Sequence, residues 1–71
     1  METKIKRKLT TGQKIKEARE ELGLTLEELG ELVQEARQNV WKIEAGIRKE
    51  PKKSTLEKYA KALKTTYLKL V

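Results

Sequence analysis

The side chains available for chemistry in this sequence are overwhelmingly cationic. Seventeen lysines and arginines stand against eleven acids, all of them glutamates, and neither histidine nor cysteine is present. Their absence removes the commonest general base, the thiolate nucleophile, the disulfide staple and the ligands that structural zinc prefers. A zinc finger is therefore excluded. Six of the glutamates, Glu17, Glu20, Glu21, Glu27, Glu28 and Glu31, are spread along one stretch, and a chain of 71 residues is too small to close a water-excluding pocket around any of them. No catalysis, cofactor, metal or small-molecule ligand is expected. What remains is recognition through charge.

A net charge of +6 suits an anionic partner. Its distribution says more than its sum. Residues 1–11 hold four basic and one acidic side chain, 12–33 three and six, 34–53 six and three, and 54–71 four and one. If the basic segments share a face, the molecule has an acidic back and a cationic front, the footprint of a duplex-DNA binder. On charge alone, a mixed and merely soluble surface stays open. Only three aromatics are available to stack on RNA bases, and no strongly apolar helix face is left over for lipid. No apolar run approaches the length that crosses a bilayer, and METKIKRK lacks the apolar stretch of a secretory signal. The expectation is a soluble protein without membrane partner, cytoplasmic or nucleoid-associated.

These side chains need elements to position them, and the hydrophobic spacing supplies helices. Residues 1–10 lack periodicity and read as a flexible basic arm, followed by one domain over 11–71. Thr10 or Thr11 can cap a first helix with Ile15, Ala18 and Leu22 on one face, stopped by Gly23. Thr25 and Glu28 form a capping box for a second helix, whose stripe is Leu29, Leu32 and Val33. Val40 and Ile43 mark a third helix, over about residues 36–45, with Gly46 at its stop. IRKEPKK reads as an exposed loop. Ser54 with Glu57 suggests a further box before a fourth helix carrying Leu56, Tyr59, Ala60 and Leu63, and Thr65 or Thr66 can cap a last turn through Leu70. No strand signal or repeat appears, so the fold class is all-α, a compact domain of four to five helices.

Several separate strings in this order, GQKIKEAREELGLTLEELGELV, ARQNVWKIEAGIRKEP and STLEKYAKAL, resemble the Cro/lambda-repressor-like helix-turn-helix family of the xenobiotic-response-element type. The resemblance runs from Gly12 to Leu70. Its most specific elements are Arg19 with LGLT, EEL at 27–29, Arg37–Gln38, KIE at 42–44, Gly46, Arg48 and Pro51. It implies a lambda-repressor-like domain whose third helix enters the major groove of double-stranded DNA, as a transcriptional regulator, a repressor in first expectation, working as a homodimer. Arg37, Gln38 and Lys42 fall on base-reading positions, and by chemistry Arg37 can pair bidentately with guanine and Gln38 with adenine. Trp41 is placed with them as a base contact, with three roles open: touching a thymine methyl or the backbone, covering the helix flank, or completing the core. Asn39, Arg48, Lys49, Lys52 and Lys53 are expected to grip the phosphate backbone, which fixes register without reading sequence. Arg19 and Glu44 match a structural ion pair between the first and third helices.

The chain departs from the family pattern in the turn. Where relatives carry glycine, an apolar residue and a capping serine or threonine, this chain has Gln34, Glu35 and Ala36. A positive φ at Gln34 together with an uncapped Ala36 is worth on the order of 1–3 kcal/mol. Leu26 replaces a glutamine that touches phosphate, Gly30 replaces an alanine at a helix-propensity cost of about 1 kcal/mol, and Lys64 stands where a glycine ends the fourth helix. Leu26 and the turn residues keep a second reading open. On it, the domain is a protein-interaction module, like an antitoxin, antirepressor or coactivator, that kept the fold and lost operator recognition.

Overall fold

The computed structural model describes residues 9–47 and 51–70. Five helices follow one another: α1 (Thr11–Glu21), α2 (Leu26–Val33), α3 (Arg37–Glu44), α4 (Lys53–Ala62) and α5 (Tyr67–Leu70), with no strand among the described residues. The expected all-α fold is present. Of the stretch expected to be a basic arm, only Leu9, half-buried, and Thr10 are described; the rest lies outside the described residues.

The first two helices begin alike. Thr10 Oγ1 accepts from the Gln13 amide at 3.1 Å while Gln13 Oε1 accepts from the Thr10 amide at 2.9 Å. At α2 the same reciprocal box joins Thr25 and Glu28, at 3.0 and 2.8 Å. Each satisfies two amide donors that a helix start otherwise leaves open. The box expected at Ser54 and Glu57 does not form. The Leu56 amide already donates to the Lys52 carbonyl at 3.0 Å, so Ser54 lies inside the first turn, and Lys52 is an N-cap without a side-chain bond.

Four helices also end alike. The amides of Leu24, Glu35, Ile47 and Thr65 each donate five residues back, to the carbonyls of Arg19, Gly30, Lys42 and Ala60, at 2.8–3.1 Å. This closure needs a left-handed residue just before the donor, and Gly23, Gln34, Gly46 and Lys64 take it with φ of 74°, 60°, 76° and 57°. Two of the four lack the residue that adopts this conformation without steric cost.

The core comprises Ile15, Leu29, Val33, Val40, Ile43, Leu56, Tyr59, Ala60, Leu63 and Leu70, joined at its edge by Ala18, Leu24, Leu26, Ala62 and Tyr67. The apolar stripes are narrower than their sequence suggests. Leu22 is the C-cap of α1 and stands 42% exposed, and Leu32 is 56% exposed, because burial on the two-turn α2 is confined to Leu29, Gly30 and Val33. α3 packs on both α1 and α2, while α5 ties α4 to α1. At the first of these contacts Gly12 is indispensable: a Cβ there would collide with the carbonyl oxygens of Ile43 and Glu44. The start of α1 thus rests on the end of α3 and fixes its tilt.

Candidate nucleic-acid interface

α3 is divided lengthwise. Val40, Ile43 and Glu44 face the interior, and Arg37, Gln38, Trp41 and Lys42 are exposed. The side chains of Arg37, Gln38 and Lys42 make no hydrogen bond or ion pair with any described residue, leaving their donors to an outside partner. One eight-residue helix thus presents a fork of guanidinium donors, an amide and an ammonium on a rigid, core-anchored element.

The anchor on the inner side is ionic as well as apolar. Arg19 Nε donates to Glu44 Oε2 at 2.8 Å, Nη2 to Oε1 at 3.1 Å, and Nη1 to the Leu24 carbonyl at 2.8 Å. The Glu44 side chain is 4% exposed and that of Arg19 11%. Hydrogen bonding to the Glu44 carboxylate pushes the Arg19 guanidinium above its ordinary range, against the opposing effect of burial. The pair locks α3 to α1 and, through Leu24, to the loop that enters α2.

Asn39 faces neither solvent nor core outright. Half-buried, it donates from Nδ2 to Glu35 Oε1 at 3.1 Å, so its amide is engaged by the turn that precedes α3. Ala36, the N-cap of α3, offers no side-chain bond to the helix amides. Gly30 is no neutral substitution for alanine here. A Cβ on it would lie 2.5 Å from the Glu35 carbonyl oxygen, so the turn closes down on the helix where a side chain would stand.

The remaining expected backbone contacts divide by position. Lys52 is exposed at the start of α4, and Lys53 is exposed with Nζ 5.4 Å from the Tyr67 ring centroid, a cation–π arrangement that also ties α4 to α5. Arg48 and Lys49 lie outside the described residues. Two features escaped sequence reasoning. Leu26 and Trp41 both line a cleft of about 340 Å³ with Arg37 and Gln38. They also line a second, of about 220 Å³, with Lys16, Arg19, Glu44 and Ala45. Trp41, 49% exposed, belongs to the surface rather than the core. The signal for the cleft was divided between two helices, and no local pattern joins them. Among the described residues no cluster of metal-binding side chains occurs, and no helix is long and apolar enough to cross a membrane.

Comparison with known proteins places this geometry. The helix-turn-helix family model HTH_3 matches residues 15–70. The crystal structure of SinR, the master regulator for biofilm formation, in complex with DNA superposes with a TM-score of 0.80 at 33% identity, over 86% of this chain and 97% of that one. SinR in the SinR–SinI complex superposes with a TM-score of 0.81 at 32% identity, over 87% of this chain, which spans only 60% of that SinR chain. No curated protein matches. Five helices in the same arrangement, a match over most of the length and an outward α3 lead to one assignment: the chain belongs to the xenobiotic-response-element type of the helix-turn-helix family, the Cro/lambda-repressor-like DNA-binding regulators.

Proposed function

We propose that this protein binds duplex DNA in a sequence-specific way, as a transcriptional repressor, with α3 in the major groove. The observation that carries the reading is the outer face of α3, where Arg37, Gln38 and Lys42 stand exposed without a partner among the described residues. The major groove is about 12 Å wide and admits one helix, and only there does each base pair present a distinct donor and acceptor pattern. Arg37 and Gln38 read base edges with Trp41 and Lys42 beside them. Asn39, Lys52, Lys53 and the loop residues Arg48 and Lys49 hold phosphates. SinR, at 33% identity, is known in complex with DNA.

One eight-residue helix reads few base pairs, so a homodimer on a two-fold-related operator is the working form. Its place of action is the cytoplasm. Of the apolar C-terminal residues, Leu70 is buried and Tyr67 half-buried, leaving Leu68, 78% exposed, as the described side chain free to pair.

The test separates reading from gripping. Arg37→Ala or Gln38→Ala lowers the preference for particular base pairs by about 1–3 kcal/mol, whereas Lys52→Ala weakens all duplexes alike and flattens the salt dependence. Equal losses on every duplex for all three variants would refute this division. A second reading, a protein-interaction module, draws on the acidic Glu35 beside α3 and on the SinR–SinI complex. It predicts that the folded protein has weakened or lost operator recognition.

A further inference from the structure

Trp41 is the anomaly of the reading face. Its three neighbours there are polar or charged, yet it leaves half of a large apolar side chain in water. Leu26, at the first position of α2, is half-buried and lines both of the clefts that Trp41 lines, so the two side chains give apolar walls to a slot between α2 and α3 that is otherwise largely polar. On one flank of the slot lie Arg37 and Gln38, whose donors are unused among the described residues.

The occupant follows from what the groove contains. Among the groups that distinguish the base pairs in the major groove, the C5-methyl of thymine is the apolar one, the rest being hydrogen-bond donors and acceptors. The carbon face of a half-exposed indole beside a leucine gains little from a donor or acceptor and gains from a methyl, since apolar surface leaves water on both sides. We infer that Leu26 and Trp41 take the 5-methyl group of a thymine, in the base pair next to the one read by Gln38, and that Trp41 is a specificity-determining residue of this protein. The inference rests on α3 lying in the major groove. Gln38 and Trp41 are three residues apart, one helical turn on the same face, which carries the indole about 4.5 Å along the axis, roughly one base step.

Uracil lacks only that methyl, so it isolates the contact. A duplex is first selected by the protein from a random 20-base-pair pool. Its thymines are then replaced one at a time by deoxyuridine, and each duplex is titrated by fluorescence anisotropy. One replacement should weaken binding about fourfold, the worth of one buried methyl, and the others should leave it unchanged. Trp41→Ala should bind the parent and that one uracil duplex equally, and Leu26→Gln should narrow the difference. Trp41 is exposed and Leu26 lies at the edge of the core, and circular dichroism verifies that the variants fold. The proposal is overturned if no single replacement matters, if Trp41→Ala still feels the methyl, or if the selected duplex has no thymine beside the Gln38 position. Should the folded protein select no duplex at all, the reading of α3 as a groove helix falls first, and this inference with it.

Discussion

At the scale of single residues, the Arg19–Glu44 pair shows how charge is used for structure. The bidentate geometry at 2.8 and 3.1 Å gives little net stability, because two charges have left water. Removing one partner strands the other. Glu44→Ala should therefore lower unfolding stability by about 3–5 kcal/mol in urea melts, and Arg19→Met with Glu44→Leu by much less, since no charge is then left buried. Because the Glu44 hydrogen bond holds the folded Arg19 above its ordinary pKa, its contribution is complete throughout the neutral range and fades only in strong alkali. Stability should show no Arg19-dependent change between pH 6 and 9. Glu35 is the opposite case, an acid held beside the reading face by Asn39. Glu35→Gln keeps that hydrogen bond and removes the repulsion from phosphate, so affinity for every duplex should rise about two- to fivefold at low salt. Unchanged affinity in anisotropy titrations would show that Glu35 does not face the backbone.

Helix ends decide matters at the next scale. All four closing turns have the same hydrogen-bond pattern, and two of them place Gln34 and Lys64 in the left-handed region. Gln34→Gly should stabilise by about 1 kcal/mol, and Ala36→Ser, which supplies the missing cap of α3, by a similar amount. For a domain this size each corresponds to a melting shift of about 4–8 °C. Gly30→Ala should do the reverse of what helix propensity says, because its Cβ meets the Glu35 carbonyl at 2.5 Å. A rise in melting temperature for that variant would show that the turn yields. These elements also mark how far sequence patterns reach. The boxes at Thr10 and Thr25 and the stops at Gly23 and Gly46 are local chemistry, and the fold was legible through them. The exposure of Leu22 and Leu32 was not, because Leu22 falls at the cap where α1 ends and the two-turn α2 touches its neighbours over a narrower arc than its apolar spacing implies. The slot between Leu26 and Trp41 was illegible for a different reason, since it exists only once α2 and α3 have packed.

For the whole molecule, charge does the work that area cannot. The glutamates concentrate on α1 and the start of α2, while the segment from Gln34 to Lys53 holds six bases against three acids. Such a domain should approach any duplex through its cationic side and release condensed counterions as it binds. If the α3 side of this fold is a duplex-DNA surface, fluorescence anisotropy of a labelled random-sequence duplex at several salt concentrations will register it. Measurable binding is expected near 50 mM salt, with log K falling against log salt at a slope of roughly −3 to −5, the signature of about three to five phosphates. A protein shown to be folded that leaves the duplex unbound at 50 mM salt would contradict it.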